Sequence, residues 1–193
     1  MPPIPAPRWW SRGRAARWSR RRWRSPCRGR CAATARPPGT DGRSGWMGAV
    51  TSVPFRLLDP VRFDRVMPAW APHYPRFDTV VGYSDLGHAF LMSTRTGEYG
   101  LLDPYSPGVK VYGPFAEIAD FVDRVLFDPD VVTYVLQPHH VSAIRARLGA
   151  LAPDEVYIAT PYPFLGGSEA PESYDRGGVW VFFDLVAQAH GME

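Results

Sequence analysis

Cysteine is nearly missing from this chain. Its two thiols, Cys27 and Cys31, lie close to the start, and the residues beyond position 31 contain none. No disulfide framework can therefore brace the main body, which fits a reducing compartment and a cytoplasmic protein. Long apolar runs are missing too. The longest are a handful of residues, well short of the ~20 that a membrane-spanning helix needs. The "PCRGRCAATARPPG" that follows the Arg cluster has no apolar core such as a secretory signal carries. Nothing repeats internally. No phosphate-cradling loop is present, since Gly82, Gly87 and Gly97 sit in turn or strand contexts rather than between a strand and a helix.

Charge is present but divided. The formal net charge of +3 averages two unlike segments. Residues 1–46 hold twelve Arg, no Lys and the single acid Asp41, whereas residues 47–193 hold ten basic residues against eighteen acidic ones. Three readings suit the first segment: a nucleic-acid arm of Arg interleaved with Trp9, Trp10, Trp18, Trp23 and Trp46; a solvated tail; or in-frame reading of GC-rich leader DNA ahead of an internal start at Met47. Thirty of the 46 residues are Arg, Pro, Ala or Gly, whose codons are GC-rich, and this favours the last. Residues 1–47 are expected to be disordered and residues 48–193 to form one acidic domain, with no membrane or nucleic-acid role for that domain.

Within the domain, "LLDPVRFDRVMPAWAP" (57–72) reads as a short helix with Asp59 as N-cap, Pro60 at N1, and Val61, Val66 and Trp70 docked. Four β-rich runs follow, "TVVGYS" (79–84), "HAFLMS" (88–93), "EYGLLD" (98–103) and "VKVYG" (109–113). The turns between them are too short for parallel crossovers, so an antiparallel meander is expected. "GPFAEIADFVDRVLFD" has a helical stripe of Phe115, Ile118, Ala119, Val122, Val125 and Leu126, with Pro114 at N1. "DPDVVTYVL" restarts a helix with Asp128 as cap, and "PHHVSAIRARLG" gives another, with Val141, Ile144 and Leu148 inward and Gly149 as its stop. "EVYIAT" (155–160) and "VWVFFDLV" (179–186) read as strands, the second turning helical at its end, with a Pro/Gly loop at 161–178 between them. The class is α+β: an antiparallel sheet of hairpins with several helices against one face.

The catalytic and metal candidates each fail on geometry. Gly166-Gly167-Ser168-Glu169-Ala170 echoes a nucleophile elbow, with Asp184 and His190 in the right chain order, but Pro161, Pro163 and Pro171 deny it the strand–turn–helix setting. His139 and His140 are adjacent, and neighbouring helical positions point about 100° apart, so they do not converge on one ion. Cys27 and Cys31 have no further Cys/His pair nearby to complete four ligands. Asp128 and Asp130 suit a helix start, and Asp120 and Asp123 a solvated face. No cofactor is expected. What remains is an acidic surface bearing aromatic rings, and a loop whose length suggests a task. Tyr162, Phe164, Gly166, Gly167, Glu169, Glu172, Tyr174 and Asp175 are the candidate partner-binding residues, with the loop aromatics exposed; carboxylates would steer a basic protein partner and rings would supply affinity. A module for a small ligand or a regulatory role is the alternative.

Three stretches carry a family resemblance. They are "VVGYSDLGHAFLMSTRTGEYGLLDPYSPGV", "FVDRVLFDPDVV", and "LGALAPDEVYIATPYPFLGGSE" followed by "VWVFFDLVAQAHG". Together they resemble the C-terminal domain of the bacterial type VI secretion DNase-immunity family, with its GAD-like relatives, over about residues 78–191; "PFLGG" with "VFFDLVAQ" is the most specific part. Relatives often have a longer region upstream, in place of which this chain has residues 48–77. The resemblance implies a non-enzymatic protein that binds and silences a cognate toxin effector, often a nuclease. It carries over no catalytic residues.

Overall fold

Each hairpin expected from the short turns forms. In a computed structural model that describes residues 53–192, β2 (Thr79–Ser84), β3 (Ala89–Met92), β4 (Tyr99–Asp103) and β5 (Gly108–Tyr112) make an antiparallel meander. The Arg-rich segment, its two cysteines and the boundary at residue 47 lie outside the described residues. No helix among the described residues is long and apolar enough to cross a membrane.

The stretch expected to open with a helix instead adds a fifth strand. β1 (Phe55–Arg62) pairs antiparallel with β2 at the sheet edge, and only the single turn α1 (Phe63–Val66) is helical. Asp59 and Pro60 are therefore neither cap nor first helical residue. The β1–β2 register breaks between Leu57 and Val61, and Pro60 falls in that break, where its missing N–H costs no ladder bond on an edge strand. Pairing with β2 outweighs the local Asp-Pro signal. Phe63, Met67 and Trp70, rather than Val61 and Val66, become the buried residues of this region.

Helices cover both faces of the sheet, not one. Every residue of β2 is buried, and an irregularity in its register with β3 between Val80 and Gly82 puts Val80 and Tyr83 in one core and Val81 in the other. Val80, Tyr83, Ala89, Leu91 and Leu102 share one core with Phe63, Met67, Trp70 and the helix α5 (Val179–Ala189). Val81, Phe90, Tyr99 and Leu101 share a second with Phe121, Val125, Leu126, Val131, Val135 and Leu136.

The second core explains a shifted helical stripe. Residues 113–117 are not helical; α2 begins at Ile118 (Ile118–Phe121) and runs into a π-helical turn, Val122–Leu126, closed by Phe127 N–H to the Val122 carbonyl at 3.0 Å. Pro114 is thus not at N1. The wider turn brings Phe121, Val125 and Leu126 inward and leaves Ala119 exposed. α3 (Pro129–Val131) repeats the device, with Asp128 Oδ1 accepting from Asp130 N–H at 2.9 Å and a π turn at Val132–Leu136. α4 (Pro138–Leu148) buries Val141 and Ile144 and ends at Gly149 as its pattern requires.

The apolar run at 179 is helix rather than strand. Val179, Phe182, Phe183, Val186 and Ala187 are buried at helical spacing, while Val181 and Leu185 face outward. A helix that is apolar nearly all round reads like a buried strand. The strand that pairs with β6 (Glu155–Ala159) is β7 (Tyr174–Gly178), just before it. This separate two-stranded sheet shares a small core with α4 through Ile144, Tyr157 and Tyr174.

Candidate functional site

The segment between β6 and β7 is built by two short-range needs of its Leu-Gly-Gly. A 3-10 turn, Pro163–Leu165, ends at Gly166, whose φ of 88° places it in the left-handed region. Gly167 then passes so close to the chain behind it that a Cβ would stand 1.7 Å from the Pro161 carbonyl oxygen, while its N–H donates to the Tyr162 carbonyl at 3.1 Å. Only glycine fits there.

The folded loop is pinned at both ends. Phe164 stacks on His190 at the end of α5, with ring centroids 4.2 Å apart, and His190 Nε2 donates to the Pro104 carbonyl at 2.9 Å. Tyr162 packs between Tyr105, Phe164 and Phe182. Arg147 of α4 donates through Nε to the Pro171 carbonyl at 3.2 Å and through Nη2 to that of Tyr174.

Between this loop, the sheet turns and the second π segment lies a cavity of about 530 Å³. The β2–β3 turn contributes Leu86 and His88, the β4–β5 turn Asp103, Tyr105 and Ser106, the π segment Tyr134 and its successor Gln137, the loop Pro163, Phe164, Gly167 and Glu169, and β7 Tyr174. Among the described residues, the walls hold two carboxylates and four aromatic rings, but no Lys or Arg.

The polar groups are held by identifiable bonds. Asp103 Oδ1 accepts from the N–H groups of Tyr105 (3.0 Å) and Ser106 (3.3 Å), which fixes the turn. The Tyr105 hydroxyl accepts from Ala159 N–H at 3.1 Å, tying that turn to β6. Ser84 Oγ accepts from the His88 N–H and meets His88 Nδ1, each at 3.0 Å, so Nε2 is the ring nitrogen left for the cavity. Gln137 has φ 44° and ψ 57°, a left-handed conformation at the junction of the π segment and α4 that turns the chain past the cavity.

Burial is the main influence on the titrating groups here. It lowers the His88 imidazole, with the charges of Asp103 and Glu169 opposing. It pushes the Tyr174 phenol up to about 12, reinforced by Glu169, and raises that of Tyr105. His140 and His190 are lowered by burial as well. The carboxylate of Glu169 thus bears on His88, Tyr105, His140 and Tyr174 together.

Of the eight residues expected from the sequence, Phe164, Gly167, Glu169 and Tyr174 line the cavity and Gly166 shapes its loop. Tyr162 supports it from behind. Glu172 and Asp175 are exposed but do not line it. The loop aromatics are not free on the surface: Tyr174 is 5% exposed, and Tyr162 and Phe164 are half-buried against the main core, because the loop folds back instead of projecting. His88, Asp103, Tyr105, Tyr134 and Gln137 are not among the expected site residues; His88, Asp103 and Tyr105 lie in the first of the three resembling stretches, which gives them no role.

The rejected candidates have structural roles. Ser168 Oγ accepts from Ala170 N–H at 3.0 Å, while His190 is committed to Pro104 and Phe164, so the two do not form a nucleophile and base. His139 is exposed and His140 packs edge-on to Tyr174. No three His, Cys, Asp or Glu side chains among the described residues cluster as metal ligands.

No family model matches the chain, and no curated protein does. Among solved structures it is similar to Atu4351 from Agrobacterium tumefaciens, with 17% identity and a TM-score of 0.49 over 71% of this chain and 67% of that one.

Proposed function

We propose that the chain is a non-enzymatic immunity-type protein which binds and neutralises a cognate toxin, a nuclease effector, in the bacterial cytoplasm. The observation that carries the reading is the cavity, a recess with carboxylates and rings in its walls and, among the described residues, no Lys or Arg to answer them. A nuclease presents a basic surface to its substrate's phosphates. A protein that silences it by occupation needs carboxylates to draw that surface in and rings to hold it. The resemblance to the immunity family adds support because its most specific stretch, Pro-Phe-Leu-Gly-Gly, is the one that builds the cavity's loop.

The test starts from the neighbouring reading frame. Its product, made with and without this full chain, should arrest growth and degrade DNA alone, and should be silenced at equal stoichiometry in a complex stable on gel filtration. Unchanged DNA degradation at several-fold excess of the chain, with no complex at micromolar concentration, would overturn the proposal. One observation favours a second reading, a small-ligand module. The cavity's volume falls within the roughly 300–1,000 Å³ usual for small-molecule pockets, and a thermal shift with a metabolite would support it.

A further inference from the structure

We infer that the cavity is a socket for an arginine side chain of the protein partner, its guanidinium received by Asp103 and Glu169 against the rings of Tyr105, Tyr134, Phe164 and Tyr174. This rests on the proposed function for the identity of the partner, and deepens it by naming the group recognised.

Charge is the first ground. Among the described residues, Asp103 and Glu169 join no ion pair and neither Lys nor Arg lines the cavity. Among the described wall residues the one able to become cationic, His88, gives its Nδ1 to the Ser84 hydroxyl, and burial favours its neutral form. Two carboxylates therefore face a recess to which no described residue brings a fixed positive charge.

The walls then choose the kind of cation. His88, Asp103 and Glu169 do not close into a metal-ligating cluster. Four aromatic rings are poor company for a small hydrated ion and good company for a planar, weakly hydrated one. Guanidinium stacks on rings and hydrogen-bonds carboxylates in its plane at the same time, which a lysine ammonium cannot do.

The mouth points to a side chain rather than a free molecule. Tyr134 is 50% exposed, and Leu165, between two lining residues in the chain, is 62% exposed. Apolar groups standing proud around a charged recess suit a protein surface that closes over them and excludes water from the ion pair inside.

The experiment titrates the full chain, followed by NMR, with Nα-acetyl-arginine amide, its neutral citrulline counterpart, agmatine, and an arginine-containing pentapeptide. Arginine amide is expected to bind in the millimolar range, about tenfold or more tighter than citrulline amide, with shifts at Glu169 and Tyr134 and tighter binding by the pentapeptide. Glu169→Gln and Tyr134→Ala, both at exposed positions and so without effect on the melting temperature, should each weaken arginine amide about fivefold and weaken the toxin complex in parallel. Equal binding of arginine and citrulline amides, shifts that map elsewhere, or no shift at about 50 mM would overturn the socket. Micromolar binding of agmatine without binding of the pentapeptide would overturn the assignment to a partner's side chain in favour of a free cation. The titration needs no toxin: a working socket without neutralisation defeats the immunity reading, and neutralisation without a socket defeats only this inference.

Discussion

Replacing Arg145 by Met tests how the sheet, α4 and the β6–β7 hairpin are locked together beneath the cavity. Asp85 sits at the turn after β2, 3% exposed, and Arg145 Nη2 of α4 donates to its Oδ2 at 2.9 Å. The Asp85 backbone carbonyl accepts from Tyr157 of β6, so one residue joins three elements immediately before Leu86 and His88. Met keeps the apolar stem and removes the charge. Breaking a buried pair from one side costs about 3–5 kcal/mol; the Arg145 side chain is 33% exposed, which lowers the expectation to roughly 2–4 kcal/mol at pH 8. With a urea slope near 2 kcal/mol per M, the unfolding midpoint should fall by about 1–2 M. The pH dependence identifies the cause. Burial raises the Asp85 carboxyl above its ordinary value, against the pull of Arg145 and then Arg56. Its contribution to stability is therefore greatest below the unfolded value of about 3.9 and is lost as pH rises through the raised folded value. Without Arg145 the folded value rises further, so the deficit of the variant must widen from pH 5 to pH 8, and Asp85→Asn added to Arg145→Met must recover most of it. A deficit that is constant with pH, or untouched by the second change, would refute the reasoning.

Three other substitutions probe the surroundings. Gly167→Ala brings a methyl against the Pro161 carbonyl and should lower the melting temperature by several degrees, with faster amide exchange at residues 162–167 if the damage stays in the loop. Trp70→Phe removes the indole donor to the Phe183 carbonyl, 2.9 Å away in the main core, and should cost roughly 2–3 kcal/mol by urea unfolding. Gln137→Gly relieves a left-handed residue and should leave stability within about 1 kcal/mol of the parent or raise it, whereas Gln137→Val should lower it by more than that.

Turn chemistry made the meander legible. "DLG", "RTG" and "YSPG" between β-branched runs allow no other connection, and strands β2 to β5 start and end within one residue of where those runs place them. The errors occur where a local signal met a stronger tertiary partner. Asp59-Pro60 is a fair helix start in isolation, but the neighbouring edge of β2 needed covering, and a register break absorbs the proline. "VWVFFDLV" does contain the spacing of Val179, Phe182, Phe183 and Val186, yet the apolar residues between them hide it. The π turns are invisible to a 3.6-residue template, which puts Ala119 inward and passes over Phe121.

The site was half legible for a related reason. The loop betrays itself by composition, since Leu-Gly-Gly between prolines is needed only where the chain doubles back on itself. Its opposite wall comes from residues 70 or more positions earlier in the case of His88, and from Asp103 and Tyr105, each of which looks locally like an ordinary turn residue. Asp103 does serve its turn through Oδ1. Only the folded chain brings it to the same recess as Glu169. Nothing in the packing of the sheet or helices requires Glu169, which is exposed, makes no ion pair among the described residues and lies outside all three cores. A charge that the fold does not need, lining one recess with four rings and a second carboxylate, makes sense once a cation from outside completes the set.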